Sequence, residues 1–488
     1  MELKKLLKNI DFELKKGSLN KTITELKYDS REVEKDNMFI AISGFEVDGH
    51  QFITQAIKNG ATAIITEKDI PQYESGITYI KVNNSRKTMA ELGKNFFEDP
   101  LSEIKLVGIT GTNGKTTTSY LLYNILKEAA GKAALFGTIK NIIGDQELAS
   151  SRTTPESIDL YRYFAQMREE GVKYGVMEVS SHALDLYRVA GMKFEAAVFT
   201  NISPEHLDYH KTLENYREVK SRLFSHLSQD KFAVINLDDS NADYIKEKSG
   251  GQKYFYSLDS EVADLYTKDF KLHQRGMEYK SGGRIESLFK LRLGGIFNIY
   301  NSLASILTAN LLGVEAVSIE KALAEIDSVP GRFEIINAGQ NFQIVVDYAH
   351  TPDGMKNVLE TAAAMDKNRL IVLFGCGGDR DRSKRPAMAE LAEKYADYTI
   401  VSNDNPRSED PEKIFTEIKS GFSESFADYE IIADRKQAIQ RAVEIAEEDD
   451  LVMLLGRGHE QYQILNNKKI ELDDRQVAYE AVSALKGI

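Results

Sequence analysis

The sequence predicts an α/β fold built on doubly wound, largely parallel sheets. Three observations predict it. A glycine-rich turn, Gly108 to Thr117, follows the apolar positions Ile104, Leu106, Val107 and Ile109 and leads into a helical pattern. Strand-like and helical runs then alternate as far as residue 328, which implies parallel strands with crossover helices. Beyond residue 329, four further apolar runs each end in a polar turn.

Taken in order, residues 1–98 form a small α/β unit. Its apolar runs Met38–Ile42, Ala63–Thr66 and Ile77–Val82 bracket one helical pattern, Phe52–Lys58. Composition shifts at Glu98-Asp-Pro-Leu101, and a central unit, 99–328, carries the runs Ala133–Phe136, Lys173–Glu178 and Ala196–Thr200. Val329-Pro-Gly-Arg-Phe-Glu334 marks the second boundary. In the third unit, 329–488, strands are expected at Gln343–Asp347, Leu370–Phe374, Tyr398–Ser402 and Leu451–Leu455. Their turns are Asp347–His350, Gly375–Arg380, Asp404–Arg407 and Gly456–Glu460. Open α/β sheets bind ligands beyond the carboxyl ends of their strands, so one shared site is expected there.

The 488 residues, 42% of them apolar, suffice for several cores. A net charge of −13 argues against a general nucleic-acid binder. No apolar run is long enough for a membrane span, and the N-terminus lacks a signal peptide's apolar core. The lone Cys376 permits no intrachain disulfide and fits a reducing cytoplasm.

The glycine turn is a variant phosphate loop. The first glycine of the standard pattern is replaced by Ile109, whereas Gly114-Lys115-Thr116 is intact. Lys115 is expected at the β- and γ-phosphates of a nucleotide and Thr116 at Mg²⁺. Glu178, ending an apolar strand, stands where such proteins carry a second metal-binding acid. His206 is a candidate for a metal or phosphate contact. On the helix from Leu213, Lys220 falls within the stripe Tyr216, Leu223, Phe224, Leu227. An ammonium there must be paired, be chemically altered, or reach back to the edge.

These residues resemble the Mur ligases, ATP-dependent enzymes that add amino acids to bacterial cell-wall precursors. The resemblance spans nearly the whole chain. It rests on GTNGKTT (111–117), MEVSSHAL (177–184), HLDYH (206–210) with Lys220, Asn298 with Asn301, Gly331-Arg332, DYAHTPD (347–353), GRGHE (456–460), and YDSREV (28–33) with ISGFEVDGH (42–50). It implies three domains, with a phosphate-loop central domain and a Rossmann-like C-terminal one. ATP would be cradled by Gly111, Thr112, Asn113, Gly114, Lys115, Thr116 and Thr117, and contacted by Asn298, Arg332 and Asp347. Two Mg²⁺ ions would be held by Thr116, Glu178, His206 and a CO₂-derived carbamate on Lys220.

The resemblance also implies the substrates. UDP-N-acetylmuramoyl-L-alanyl-D-glutamate would be held by Tyr28, Ser30, Thr153, Thr154, Ser180 and Arg188. Arg380, Asp404, Asn405, Pro406, Arg407, Gly456 and Glu460 would line an amino-acid pocket. The arginine fork of Arg407 suits the distal carboxylate of meso-diaminopimelate, and lysine-adding family members lack it. A cytoplasmic monomer is expected. The alternatives are a lysine-adding ligase, a folylpolyglutamate synthetase and a non-catalytic nucleotide-binding regulator. Leu186, Phe297 and Arg457 depart from residues common in the family.

Overall fold

Among the described residues, runs of β-branched and large apolar residues separated by amphipathic helices fold into three large β-sheets, each with helices of its own, and one two-stranded hairpin. This computed structural model describes residues 1–44, 47–273 and 276–486. Phe45 and Glu46 of the Ile42–His50 motif lie outside the described residues.

The first sheet has five strands in the order Glu13–Lys16, Thr78–Lys81, Ala63–Thr66, Met38–Ile40, Leu26–Lys27. The three expected apolar runs form its middle. The helices Leu3–Leu6 and Ser85–Phe96 have no counterpart in the sequence expectations; the longer is Ser85–Phe96. Asn84 caps it by accepting from Lys87 N, and Met89 and Leu92 join the core. Ile158, from the next unit, packs in that same core.

The second sheet has eleven strands. It is parallel from Leu265–His273 through to Ala134–Phe136, as alternation implied. Both edges depart from that expectation. Antiparallel strands Lys140–Ile143 and Gln146–Ala149 extend one side, and Gly276–Gly283 and Leu288–Leu291 the other. Such pairs need only a tight turn, not a crossover helix, and a half-solvated edge does not demand a continuous apolar run. Helices Lys115–Ala130 and Ile296–Leu311 cover one face through Leu121, Ile125, Leu303 and Leu307. Helices Ser157–Glu169 and Leu213–Ser225 cover the other through Phe164, Leu223 and Phe224.

The third sheet has six strands. Gln343–Asp347, Leu451–Leu455, Leu370–Phe374 and Tyr398–Val401 lie side by side and parallel, within a residue of the expected bounds. In register, Asp347 faces Leu455 and Phe374 faces Val401. All four polar turns therefore leave the sheet at one edge.

Candidate active site

The phosphate loop caps the central strand Lys105–Thr110 and opens the helix Lys115–Ala130. Parallel register sets Glu178 opposite Ile109 and Phe199 opposite Thr110. The neighbouring strands thereby deliver a carboxylate and the Thr200–Asn201 pair to the loop. Gly114 has φ +86°, and a Cβ on it would lie 2.4 Å from Asn301 Oδ1, so the helix of the two asparagines packs directly on the loop. Thr116 donates its hydroxyl to Glu178 Oε2 at 2.8 Å, and Thr138 N donates to the other oxygen at 2.8 Å. Arg332, from beyond the second boundary, donates to Thr116 Oγ1 at 3.1 Å.

Lys220 does not reach back to the surface. It is 1% exposed, and its Nζ donates to Gly111 O at 2.7 Å, 4.5 Å from the Tyr216 ring centre. Lys115 donates to the same carbonyl at 2.9 Å and to Thr112 O at 2.7 Å. Burial, reinforced by the Lys115 charge, holds Lys220 well below the ordinary lysine range. Burial lowers Lys115 as well. His206 has φ +55° and brings Nε2 to 3.7 Å from Glu205. Loss of hydration, which Glu205 opposes, takes the His206 ring down to about 4.

Glu205 was not singled out from the sequence, although it adjoins His206. Its carboxylate accepts from Tyr216 Oη at 3.3 Å. Burial works to raise it, and the charges of Lys115 and His206 outweigh that, leaving it below the ordinary range.

Two cavities meet over the loop, with Asn113, Arg332 and Tyr348 lining both. The larger, about 540 Å³, is also walled by Phe297, Asn301 and Asp347. Asp347 is buried, accepts from Phe333 N and Ala349 N at 2.7 Å each, and is raised by burial. Asn298, expected to contact ATP, lies one layer behind the wall. It is fully buried, donates to Gly294 O and accepts from Asn301 Nδ2, so Asn301 is the residue presented to the cavity. The smaller cavity, about 230 Å³, brings together Lys115, Thr116, Glu178, His206 and Lys220.

Thr153, Thr154, Ser180 and Arg188 form one network at the smaller cavity. Thr154 donates to Glu178 O at 2.8 Å and accepts from Ser180 N, while Thr153 accepts from Thr138 Oγ1. Arg188 donates to Thr154 O and pairs with Glu156 at 3.0 Å. Tyr28 and Ser30 line neither cavity. Tyr28 Oη donates to Asp159 Oδ2 at 2.6 Å, tying the first sheet unit to the second, and the Ser30 carbonyl accepts from Asn59 Nδ2.

At the edge of the third sheet, the turns carrying Asp404–Arg407 and Gly456–Glu460 converge. Gly456 has φ +110°, and a Cβ on it would stand 2.7 Å from Asp404 Oδ2. Asn405, expected to line the amino-acid pocket, is committed within the protein. It donates to Glu460 Oε2 at 2.8 Å and accepts from Ile464 N at 2.7 Å and Arg457 Nη1 at 3.4 Å. Burial, then the Asp404 charge, raises Glu460. Pro406 O approaches Gly378 so closely that a Cβ there would lie 2.0 Å from it. Arg407 donates to Gly378 O at 2.8 Å, and the exposed Arg380 flanks the same glycine turn. Arg457 is fully buried against Asp474, which also pairs with Arg435.

A phosphate loop with a paired carboxylate, the loop lysine Lys115 and the buried Lys220 beside two adjoining cavities is the arrangement of a nucleotide-dependent group-transfer enzyme. The comparisons specify the class. The Mur ligase family catalytic domain matches residues 22–97, the Mur ligase middle domain 109–309, and the Mur ligase glutamate ligase domain 331–458. The chain is 43% identical over 485 residues to UDP-N-acetylmuramoyl-L-alanyl-D-glutamate--2,6-diaminopimelate ligase of Caldanaerobacter subterraneus subsp. tengcongensis, covering 99% of each chain. It is 42% identical to the enzyme of that name numbered 1 in Clostridium acetobutylicum, covering 99% of this chain and 100% of that one. A solved structure of a ligase with the same name superposes with a TM-score of 0.71 at 32% identity, covering 100% of this chain and 99% of that one. A folylpolyglutamate synthase of Mycobacterium tuberculosis, 16% identical with a TM-score of 0.63 over 82% of this chain and 95% of that one, shares the fold. This chain belongs to the Mur ligase family, and its architecture is that family's three-domain α/β fold.

Proposed function

We propose that this protein is the ATP-dependent ligase that joins meso-diaminopimelate to UDP-N-acetylmuramoyl-L-alanyl-D-glutamate. The observation that carries this reading is full-length identity of 42 to 43% with relatives of that name. The convergence of the Asp404–Arg407 and Gly456–Glu460 turns, where Asn405 bonds Glu460 and Arg407 bonds Gly378 O, is consistent with an amino-acid site there. In the reaction, the substrate's D-glutamyl carboxylate takes the γ-phosphoryl group of ATP and ADP departs. The amine of diaminopimelate then forms the C–N bond, phosphate leaves, and the amine's proton passes to solvent or a nearby base. The protein contributes position and charge. Lys115 stands at the phosphates, Arg332 and Asn301 at the nucleotide, and Thr153, Ser180 and Arg188 at the sugar-dipeptide.

The donor set at Thr116 and Glu178, a hydroxyl and a carboxylate, fits Mg²⁺, which binds through one or two carboxylates plus phosphate oxygens. Among the described residues no cluster of three or more His, Cys, Asp or Glu could hold a metal alone. When bound, Mg²⁺ would neutralise charge on the transferring phosphoryl group. The buried, neutral-leaning Lys220 is suited to CO₂ addition, and a carbamate there, with His206, would supply a second oxygen-rich site. The domain boundaries 1–98, 99–328 and 329–488 belong to this reading, as does a cytoplasmic monomer.

The test is phosphate release by the purified protein with ATP, Mg²⁺ and UDP-N-acetylmuramoyl-L-alanyl-D-glutamate, comparing meso-diaminopimelate with L-lysine. Release with diaminopimelate alone is expected. Release with lysine alone would keep the family and overturn the role of Arg407. Release with neither would favour the non-catalytic regulator.

A further inference from the structure

The hairpin formed by Tyr462–Leu465 and Lys468–Glu471 stands apart from the three large sheets as a sheet of its own. An isolated two-stranded hairpin is marginal in water. Its outer strand is exposed throughout, and Tyr462 and Ile470 face solvent, so apolar burial does little to hold it. Its tip is Asn466-Asn467, both at positive φ, as a tight two-residue turn requires.

What fastens the hairpin is the Asp404–Arg407 turn. Gln463 is buried, and its Nε2 donates to Asp404 O at 2.6 Å and to Asn403 O at 3.2 Å. Ile464 N donates to Asn405 Oδ1 at 2.7 Å. Arg407 N donates to Ile464 O at 3.0 Å, and Arg407 pairs with Leu465 as a strand residue would. Arg407 itself has φ +57°, a region that non-glycine residues enter only when their surroundings hold them there. That backbone state aims its guanidinium at Gly378 O.

We propose that this hairpin, through Gln463, is the positioning element that sets discrimination between diaminopimelate and lysine. Gln463 is assigned a positioning role because its side-chain amide is spent on the carbonyls of Asn403 and Asp404. Its amide fixes the two carbonyls that precede Asn405, and the strand behind it fixes Arg407 in the left-handed state that directs its guanidinium toward Gly378. This rests on the reading of Arg407 as the group that binds the distal carboxylate.

The experiment measures kcat and KM for meso-diaminopimelate and for L-lysine, with ADP affinity as the check on folding. The variants are Gln463→Met, Gln463→Glu, Arg407→Lys and the double variant Gln463→Met with Arg407→Lys. Gln463→Met keeps the length and removes the donor, and Gln463→Glu turns carboxylate oxygens toward two carbonyls. Both are expected to raise KM for diaminopimelate about tenfold or more, with ADP affinity unchanged and the diaminopimelate-to-lysine ratio of kcat/KM reduced. In the Arg407→Lys background the Gln463→Met loss should nearly vanish, because the two act as one unit. If Arg407→Lys lowers the ratio and neither Gln463 variant does, the hairpin proposal falls and the pocket reading stands. The hairpin proposal also falls if the two losses multiply independently. If Arg407→Lys leaves the ratio unchanged, the pocket reading falls and takes the proposal with it.

Discussion

Asn113 donates its side-chain amide to Asp353 Oδ2 at 2.8 Å, so the phosphate loop is clasped by a residue 240 positions along the chain. Ser203 donates to the same oxygen at 2.9 Å. Asp353 stands in the first turn of the helix Pro352–Ala364, where Thr351 caps by accepting from Gly354 N and a negative charge is favoured. The clasp joins the loop of the second sheet unit to the edge of the third, across the larger cavity. Hydrogen bonds to a charged group are worth about 1.5–3 kcal/mol. Asp353→Ala should therefore cut kcat/KM about tenfold or more and increase the radius of gyration in small-angle scattering. Unchanged kinetics and scattering would reduce the clasp to a surface contact.

Lys115 and Lys220 both donate to Gly111 O, and two ammonium groups on one carbonyl repel each other. Enclosure and the neighbouring Lys115 charge lower Lys220 and so favour the neutral amine, the form that attacks CO₂. Lys220→Ala should lose activity by about a hundredfold or more, as removal of one preorganised electrostatic group does. Short-chain carboxylates added to the assay should restore part of it, because they can occupy the space of a carbamate. Full activity in the variant would exclude the carbamate, and absence of rescue would count against it.

Glu178 accepts from Thr116 Oγ1, Thr138 N and Thr138 Oγ1, so its carboxylate is oriented before any metal arrives. Glu178→Gln keeps the shape and removes the charge. Expected are a loss of turnover of about a hundredfold or more, a raised Mg²⁺ requirement and retained ADP binding. Chelation by EDTA should abolish phosphate release in the parent. Unaltered Mg²⁺ dependence in the variant would remove Glu178 from the metal site.

The parallel strands were legible because burial on both faces demands continuous apolar runs, as at Leu370–Phe374 and Leu451–Leu455. The edge strands Lys140–Ile143 and Gln146–Ala149 were not, since half-exposed pairs mix polar and apolar residues without a signal of their own. In the site, residues within motifs could be placed by their motif, as with Lys115, Thr116 and Glu178. Asn298 and Asn301 share a helix face by spacing, but which of them meets the cavity depends on where Gly294 and Gly295 start the helix. Gln463, Asp353 and Glu205 gained their roles from partners distant in sequence or from shared burial, and no local pattern announces that.

His459 allows the pH dependence of stability to be read with its sign. Its ring is largely enclosed beside Tyr348, and burial, then the charges of Arg332 and Arg475, take it from 6.5 down to about 3. The folded ring stays neutral where the unfolded chain, near the ordinary value of about 6.5, already binds a proton. The unfolded state thus holds more protons between these values, and stability rises with pH through that window. The contribution is full above pH 6.5 and lost progressively as pH falls toward 3. His459→Asn removes the titrating group. It should therefore flatten the fall in Tm between about pH 6.5 and 5, even if it lowers Tm at neutral pH. Thermal melts of both proteins across that range check this, and parallel slopes would mean that the ring titrates normally in the fold.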